Sequence, residues 1–540
     1  MMWLTLLGTL SAKPLDAHLL YFVLVDRFSN GNPSNDVAID LNDPQAFHGG
    51  DLEGVQNKLP YIQSLGADAI WLSPVFHMRT EKFGGHGAFH GYWVQNLDAI
   101  EPAFGGEKAL TDLADKSQEK GIHLIMDMVY NHVSFDSPMR ETHKTWFHED
   151  KTIENWDDPY ERTHYQVHGL PDLDQSNPDV YQYLLEKSLL WKKYTSGFRI
   201  DAIRHMENDF LSKLASDVRE TNTWLLGEDF QGNPVELIER AKATSIDSLF
   251  DFPNYYAMTD LFCMGGSHGA FAGNLWLDRQ YPINFQFVTF LDNHDLPRLH
   301  SICTKENAMQ ALFTQFSIRG LPMITYGTEL GAQGAKEPEN RVDMLWNATH
   351  PAQELITTLT KLRKDNPVLE SGKGLVEHLD EHSMVYTQFL EGTSASLAIN
   401  RGNTLFSYPH PTETCYAVDQ NGIFSSCTSE TIEPHSTVLW LDKKSMPQEK
   451  KIRTNIQVSS CTPQQDLRLV GSDPIFGGWN PQKGLRLREK EGNCFASILV
   501  DQHAVLRFKV VEVQEKKIQW GQGPDNILWN TDHIDISWTP

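Results

Sequence analysis

Short apolar runs recur along the first 330 residues, and helical stretches such as 107–121 and 179–194 separate most of them. Runs in which neighbouring residues are all apolar, such as Leu124, Ile125 and Met126, predict strands that are buried on both faces. Such strands occur in parallel sheets covered by helices, so eight of them with intervening helices predict an α/β fold, a (β/α)8 TIM barrel. The predicted strands lie within 19–28, 67–76, 122–132, 197–205, 223–230, 247–253, 283–295 and 322–330.

Two parts of the chain depart from this alternation and predict further domains. The connection after the third strand is rich in His, Asp, Trp and Pro, which predicts a small irregular inserted domain. After the barrel, short alternating runs predict a β-sandwich, and a charged linker then leads to a second, aromatic-rich β-domain. The predicted order is a candidate leader at 1–14, the barrel at 15–132 and 172–370, domain B at 133–171, domain C at 371–446, the linker at 447–451 and the last domain at 452–540.

Composition narrows the class of protein. An apolar share of 40%, with 14 Trp, 16 Tyr and 27 Phe, supports a sizeable core and excludes disorder. The 71 acidic and 46 basic residues give a net charge of −25, which disfavours nucleic acid and anionic membranes and suits a neutral ligand. No apolar run approaches the ~20 residues that span a bilayer. We expect a monomer.

Location and disulfide pairing stay open at this stage. The short apolar run before residue 14 favours export, hence an extracellular or periplasmic protein, although a ragged chain start is the alternative. Six cysteines without a CxxC pair fit neither a zinc site nor a disulfide scaffold. Cys415 with Cys427, and Cys461 with Cys494, could each form a bridge.

Four of the predicted strands end in polar residues in a fixed order. Barrels of this kind place catalytic groups at the carboxyl ends of their strands, so Asp201, Glu228 and Asp295 are expected at one mouth. Each carboxylate alone is more often a cap, turn or surface residue, and the prediction therefore depends on their occurring together. The four segments are DMVYNH (127–132), GFRIDAIRH (197–205), LLGEDF (225–230) and FLDNHD (290–295).

These segments, in this order, resemble those of the α-amylase-type enzymes of glycoside hydrolase family 13. The resemblance covers about residues 19–330, and the domain order matches to about residue 446. It implies a calcium-dependent, retaining hydrolase that cleaves internal α-1,4 bonds of starch or glycogen. It further implies that Asp201 is the nucleophile, Glu228 the acid/base and Asp295 the stabiliser of the transition state.

The neighbours of the three carboxylates agree with those roles. Cleavage of an acetal passes through an oxocarbenium-like transition state, so carboxylates must supply a proton and offset positive charge. Arg199 lies two positions before Asp201 on the same face of a strand, where its charge would keep Asp201 ionised. The apolar residues before Glu228 would raise its pKa, which suits a general acid. Asp295, beside His294, would hold sugar hydroxyls.

The segment HGYW (90–93) adds a sugar pocket. In the family, the matching His90 and Tyr92 line the pocket for the sugar on the nonreducing side of the scissile bond, and Tyr92 would stack on a pyranose ring. The alternative is that Tyr92 and Trp93 are core aromatic residues. The complete set of predicted substrate contacts is His90, Tyr92, His132, Arg199, Arg204 and His294.

The resemblance also implies two calcium sites. The first would use Asn131, Asp172 and the backbone carbonyl of His205, and it would pin domain B to the barrel. The second resembles the calcium loop of cyclodextrin glucanotransferases, with Asn30 in the place of the usual first acid. An Asn/Gly/Pro-rich turn is the alternative there. The ligands predicted for this loop are Asn30, Asn32, Asn35, Asp36, Gly49 and Asp51.

The tail resembles a family 20 starch-binding module, over 470–481 and 508–526. Trp479 and Trp520 match the two tryptophans that stack on glucose in that module, and Lys509 matches a nearby polar contact. Buried sandwich tryptophans are the alternative, but the glycines beside both favour loops. The expected partner is therefore an α-glucan polysaccharide.

A glucan transferase is the main alternative to a hydrolase. Cyclodextrin glucanotransferases carry Tyr or Phe where this chain has His168, and they carry an extra domain for which the linker leaves no room. Both departures favour water as the acceptor. Arg204 replaces a lysine common in α-amylases and keeps its charge. A noncatalytic glucan-binding barrel is a third hypothesis; it predicts the loss of a carboxylate, and all three are present.

Overall fold

A computed structural model describes residues 13–219, 222–410, 414–428, 430–514 and 517–539. The candidate leader lies outside these ranges except for its last two residues. Among the residues that the structure describes, no helix is both long enough and apolar enough to cross a membrane.

Eight parallel strands close into a barrel, as the apolar runs predict. Strand β1 pairs with β2, where Leu20 lies opposite Ala69, and with β8, where Leu20 lies opposite Met323, which completes the ring. Nearly every strand residue is buried, because helices cover the outside and side chains fill the interior. The strands are β1 (Leu20–Val23), β2 (Ala69–Leu72), β3 (His123–Met128), β4 (Gly197–Ile200), β5 (Trp224–Gly227), β6 (Ser248–Phe250), β7 (Gln286–Thr289) and β8 (Leu321–Thr325).

Several of the helices begin with a side chain that accepts a backbone N–H, namely those after Asn177, Asn233 and Thr304. Both helices predicted at 107–121 and 179–194 are present, as α3 and α6. The helices are α1 (Val25–Phe28), α2 (Leu52–Ser64), α3 (Gly106–Glu119), α4 (Met139–Thr142), α5 (Pro159–His164), α6 (Pro178–Trp191), α7 (Asn208–Arg219), α8 (Pro234–Thr244), α9 (Phe252–Thr259), α10 (His268–Leu277), α11 (Leu299–Ile302), α12 (Lys305–Phe316), α13 (Pro351–Asp365) and α14 (Val368–Ser371).

The connection after β3 contains the short helices α4 and α5 and is otherwise irregular. Its two ends lie side by side, because the N–H of Val133 donates to the carbonyl of Pro171 (3.1 Å) and the N–H of Leu173 donates to the carbonyl of Asn131 (2.8 Å). The segment therefore leaves the barrel and returns to it at one point, directly beside the end of β3.

The region after the barrel forms a β-sandwich. A six-stranded sheet has the order β14-β13-β16-β11-β10-β9, and a two-stranded sheet pairs β12 with β15. Cys415 and Cys427 are bridged here. The strands are β9 (Lys373–Leu379), β10 (Ser383–Leu390), β11 (Thr393–Asn400), β12 (Phe406–Ser407), β13 (Thr414–Val418), β14 (Phe424–Ser426), β15 (Thr431–Ile432) and β16 (Ser436–Asp442).

The last domain has two sheets, β20-β21-β17-β25 and β19-β18-β22-β23, with β24 paired to β22. Cys461 is bridged to Cys494, so both pairings considered from the sequence are present. A third bridge, Cys263–Cys303, was not predicted. The strands are β17 (Lys451–Ser459), β18 (Leu467–Gly471), β19 (Leu485–Arg486), β20 (Arg488–Lys490), β21 (Asn493–Asp501), β22 (Val505–Val513), β23 (Ile518–Trp520), β24 (Asn526–Trp529) and β25 (His533–Ser537).

Candidate active site

The three predicted carboxylates lie at the carboxyl end of the barrel. Asp201 directly follows β4, Glu228 directly follows β5, and Asp295 lies in the loop after β7. The hydrogen bonds between neighbouring barrel strands continue to these residues. The N–H of Asp201 donates to the carbonyl of Met128 (3.0 Å), and that of Glu228 donates to the carbonyl of Ile200 (3.0 Å). Regular strand pairing therefore fixes the backbone positions of Asp201 and Glu228.

One buried guanidinium joins the carboxylates at the centre of the mouth. Nη1 of Arg199 donates to Oδ1 of Asp201 (2.6 Å) and to both oxygens of Asp127 (2.9 and 3.0 Å). Nη2 of Arg199 lies 2.5 Å from Oε1 of Glu228. Arg199 is fully buried, so its attraction to the carboxylates is little screened by water. Asp201 and Glu228 therefore both contact the guanidinium of Arg199.

Asp127 is a member of this cluster that the sequence analysis did not single out, although it opens the first polar segment. Its Oδ2 accepts hydrogen bonds from the hydroxyl of Tyr92 (2.9 Å) and from Nε1 of Trp71 (3.1 Å), in addition to those from Arg199. Burial raises the pKa of Asp127 to about 7. Its contacts show that it holds Arg199 and Tyr92 in position.

The carboxylates differ in proton affinity. Burial raises the pKa of Glu228 to about 8, although Arg199 beside it acts in the opposite direction. Burial alone would raise the pKa of Asp295, but His294 and Arg341 hold this pKa below its usual range. Near pH 7 the site thus contains a protonated Glu228 and an ionised Asp295. Such a difference is the pattern of an acid beside an anion that stabilises positive charge.

Aromatic rings form one wall of the mouth. The rings of Tyr92 and His294 are stacked, with centroids 5.0 Å apart and planes at 5°, and the ring of His90 lies 5.8 Å from that of Tyr92. His132 Nε2 lies 3.3 Å from the carbonyl oxygen of Tyr92. Burial lowers the pKa of His90 and His132, and lowers that of His294 to about 3. These imidazoles are therefore neutral near pH 7 and suited to hydrogen bonding with sugar hydroxyls.

Arg341, in a loop after β8, holds the third carboxylate in place. The sequence analysis predicted Asp295 but did not single out Arg341. Nη2 of Arg341 lies 3.0 Å from Oδ1 of Asp295, and Nε of Arg341 donates to the carbonyl of His294 (2.9 Å). The Nδ2 of Asn340 donates to the same carbonyl (2.8 Å). Arg341 lies 46 positions after Asp295, and no local pattern links the two residues.

Arg204 and His205 lie next to domain B, where Nδ1 of His205 is 3.0 Å from the carbonyl oxygen of Arg162. Nη1 of Arg204 donates to the carbonyl of Phe230 (2.9 Å), two residues after Glu228. The ring of Trp156 lies 5.8 Å from that of His205 and 6.0 Å from that of His168, and 43% of Trp156 is exposed. Trp156 is thus an exposed aromatic residue beside His168, the position at which cyclodextrin glucanotransferases carry Tyr or Phe. The sequence analysis did not single out Trp156.

Two buried oxygens fit the first predicted calcium site. Oδ1 of Asn131 and Oδ1 of Asp172 are buried and accept no hydrogen bond. The other carboxylate oxygen of Asp172 is paired with Nδ1 of His148 (2.6 Å), and burial raises the pKa of Asp172 to about 7. In the described part of the chain, no group of three or more His, Cys, Asp or Glu is arranged to hold a metal. A hard cation can instead use amide and backbone oxygens, which Asn131 and His205 offer.

The loop predicted as the second calcium site is closed by its own hydrogen bonds. Asp51 caps helix α2, and its oxygens accept the N–H groups of Gly31 (3.0 Å), Asn32 (2.9 Å) and Gly54 (2.6 Å). The Nδ2 of Asn35 donates to Asp51 (3.3 Å), and that of Asn30 to Asp36 (2.9 Å). Gly49 approaches Asn30 and Asp36 closely. Oδ1 of Asn35 is buried and accepts no hydrogen bond, so the second calcium site stays a prediction.

The predicted glucan contacts of the last domain lie together. The rings of Trp479 and Trp520 have centroids 6.4 Å apart, and 39% of Trp520 is exposed. Nζ of Lys509 donates to the carbonyl of Gly523, in the loop after Trp520. Trp479 follows two glycines with positive φ and itself has φ of +63°, so a tight loop presents its ring. The two rings therefore form one aromatic surface.

Comparison with known families agrees with both parts of this chain. The family model described as the α-amylase catalytic domain matches residues 22–367, and that of the starch-binding domain matches residues 450–534. The first match contains all three barrel carboxylates, and the second contains both Trp479 and Trp520.

Individual relatives include hydrolases and transferases. The β/α-amylase of Paenibacillus polymyxa is 31% identical over 71% of this chain, which spans only 33% of that relative. The cyclomaltodextrin glucanotransferase of Klebsiella oxytoca is 26% identical over 97% of this chain and 95% of its own length. Among solved structures, an Anoxybacillus α-amylase is 28% identical, with a TM-score of 0.70 over 79% of this chain and 98% of its own. The cyclomaltodextrin glucanotransferase CldA is 27% identical, with a TM-score of 0.72 over 79% and 99%.

Proposed function

Since this chain belongs to the α-amylase family of glycoside hydrolases and carries a starch-binding domain, we propose that it hydrolyses internal α-1,4-glucosidic bonds of starch, glycogen and related α-glucans with retention of configuration. The observation that carries the proposal is the shared guanidinium of Arg199, which holds Asp201 and Glu228 at one point of the barrel mouth. Retaining glycosidases need two carboxyl groups close together, one as nucleophile and one as acid.

In the first step, a carboxylate oxygen of Asp201 attacks the anomeric carbon. Glu228 gives its proton to the glycosidic oxygen, the bond between that oxygen and the anomeric carbon breaks, and the reducing-end fragment leaves as an alcohol. The proton is available because burial raises the pKa of Glu228 to about 8. Arg199 donates to Oδ1 of Asp201 and so orients this carboxylate for the attack.

In the second step, the ionised Glu228 takes a proton from water as the water oxygen attacks the anomeric carbon. The bond to Asp201 breaks, its electron pair returns to the carboxylate, and both groups regain their starting protonation states. Asp295 is held ionised by Arg341 and offsets the positive charge of both transition states. Tyr92, stacked on His294, provides a flat platform for the sugar ring.

We propose that one calcium ion would be held by Asn131, Asp172 and the carbonyl of His205, because Asn131 and Asp172 each offer a buried oxygen that no donor satisfies. The ion would tie the segment after β3 to the barrel. We propose that Trp479, Trp520 and Lys509 bind α-glucan on the last domain. The three disulfides are consistent with an extracellular protein, and export is part of the proposal.

A transglycosylase is the second candidate, because a cyclomaltodextrin glucanotransferase aligns with nearly the whole chain. In that case a sugar hydroxyl would replace water in the second step. Trp156, exposed beside His168 and His205, is a surface on which such an acceptor could stack. His168, where the transferases carry Tyr or Phe, favours water.

Product analysis on soluble starch separates these candidates. Linear maltooligosaccharides with rapid loss of viscosity, abolished by Glu228→Gln, are the expected result. Cyclic products, or transfer to added glucose as the main reaction, would move the assignment to a transferase. Unchanged activity of Glu228→Gln would contradict the proposed mechanism in either case.

A further inference from the structure

The starch-binding domain packs directly against the catalytic barrel, on helix α10. Two glycines one helical turn apart, Gly269 and Gly273, lie at this contact. A Cβ atom at Gly269 would overlap Cδ1 of Ile527 on β24, and one at Gly273 would lie 2.9 Å from Cδ of Arg507 on β22. The absence of side chains at these positions lets two side chains of the module reach the backbone of α10.

Contacts on both sides of α10 extend this interface. Nε2 of Gln280, just after the helix, donates to Oδ2 of Asp473 (3.4 Å) in the module. Nδ1 of His503 lies 3.2 Å from the carbonyl oxygen of Val376 on β9, so the module also touches the β-sandwich. The buried apolar cluster of the barrel continues into the module. The module is thus seated on the rest of the chain.

The tryptophan surface of the seated module lies beside the loop that carries Glu228. This loop runs from Glu228 to the start of α8, and a Cβ atom at Gly478 would lie 2.7 Å from Cγ1 of Val235, the second residue of that helix. Gly478 directly precedes Trp479. The residues from Glu228 to Val235 span at most ~25 Å when fully extended, which limits the distance between the catalytic acid and the loop that carries Trp479.

An exposed aromatic residue lies against the same loop. A Cβ atom at Gly232 would lie 3.1 Å from Cδ2 of Tyr256, and 42% of Tyr256 is exposed. Glu228, Gly232 and Val235 therefore lie along one loop, and its far end meets the module at Gly478.

We propose that the glycine face of α10 makes the starch-binding module a fixed extension of the active-site cleft, so that a single α-glucan chain occupies both. This inference rests on the proposed function, because it assumes that the cleft and the tryptophan surface both bind α-glucan. A module on a loose tether samples many positions, whereas a seated module keeps the second site at one distance from the first and gives a higher effective concentration.

The test fills the space of one glycine and then restores it from the other side. Gly269→Leu unseats the module, and Ile527→Ala added to it restores seating, because the smaller residue makes room for the larger. Neither residue touches the catalytic or glucan-binding side chains. Small-angle scattering of the full chain reports seating as the maximum dimension, and kcat/KM is measured on soluble starch and on a short chromogenic maltooligosaccharide.

We expect Gly269→Leu to increase the maximum dimension and to lower kcat/KM on soluble starch about three- to tenfold, with kcat/KM on the short substrate unchanged. In the double variant, the maximum dimension and kcat/KM on starch both return to the wild-type values. An unseated variant that keeps full activity on starch would overturn the inference, and so would an unchanged maximum dimension. Should Gly269→Leu lose activity on the short substrate through misfolding, Ile527→Asp makes the same test with the barrel sequence intact.

The proposed function fails in a distinguishable way. If the wild-type protein does not cleave starch, or if Trp479→Ala with Trp520→Ala does not weaken its binding to β-cyclodextrin, the α-glucan assignment itself is wrong. Loss of starch activity on unseating, with β-cyclodextrin binding by the module unchanged, supports the fixed arrangement specifically.

Discussion

Removal of the charge of Asp127, without a change in its shape, tests the electrostatics of the site. Asp127→Asn keeps an oxygen that accepts from Arg199 and Tyr92, but it removes a negative charge from the cluster that contains Glu228. Both carboxylates contact one guanidinium, and two groups so bridged lie on the order of 6 Å apart. At an effective dielectric constant of about 20, two unit charges at such a separation repel by roughly 2–3 kcal/mol.

That repulsion raises the pKa of Glu228, so its removal lowers this pKa. Asp127 has a pKa of about 7 and is mostly ionised where Glu228 titrates, at about 8. We expect the pKa of Glu228 to fall by about one to two units in Asp127→Asn, since one unit corresponds to about 1.4 kcal/mol. Because the acid must be protonated for the first step, the basic limb of the pH profile moves to lower pH.

The assay is kcat/KM on a soluble maltooligosaccharide between pH 5 and pH 10, which reports the free enzyme's groups. At the wild-type limb, the variant loses about tenfold in rate, and the loss shrinks as the pH falls. Asp251→Asn is the matched control, because Asp251 is a buried carboxylate that pairs with Arg319 instead. A basic limb that stays in place or moves to higher pH in folded Asp127→Asn would refute the reasoning.

Three further predictions follow from other contacts. Compared with a sample that contains calcium at about 100 to 1,000 times its Kd, chelation destabilises the wild type by about 2–4 kcal/mol. Thermal unfolding of Asp172→Asn becomes insensitive to the chelator, and equal sensitivity of both proteins would contradict the site at Asn131 and Asp172. Trp156→Ala lowers transfer to added maltose relative to hydrolysis about two- to tenfold, the worth of one aromatic contact, and an unchanged ratio in product analysis would exclude Trp156 from the acceptor side. Cys263→Ser with Cys303→Ser costs about 3–4 kcal/mol in urea unfolding, because the bridge closes a loop of 40 residues, and a loss below about 1 kcal/mol would contradict the chain-entropy estimate.

The barrel and its mouth were predictable because the relevant signals are local. Continuous apolar runs indicate strands buried on both faces, and the polar residue after each run must then lie at the carboxyl end. Asp201 and Glu228 are fixed in this way by their own strands. Asp127 opens one of the four polar segments, so its position at the mouth was predictable. Its role was not, because it depends on contacts with Trp71, Tyr92 and Arg199, which come from other strands and loops.

The features that the sequence did not indicate depend on distant parts of the chain. Arg341 meets Asp295 across 46 positions, and Trp156 reaches His205 from the irregular connection after β3. The glycines of α10 look unremarkable in a helix until the module that fills their space is present. In the loop at 29–51 the acidic and amide residues predict a cation site, and Asp51 also caps a helix. Helix caps and cation sites use the same residue types, so the sequence does not separate the two.

The central claim is that Glu228 supplies the proton to the leaving group while Asp201 forms the bond to the sugar. The most direct test compares wild type and Glu228→Gln on starch and on α-maltosyl fluoride, whose leaving group needs no proton. The account predicts that Glu228→Gln loses at least about a thousandfold on starch, and far less in forming a glycosyl adduct on the peptide that contains Asp201, seen by mass spectrometry. Equal losses on both substrates, or an adduct on another residue, would contradict it.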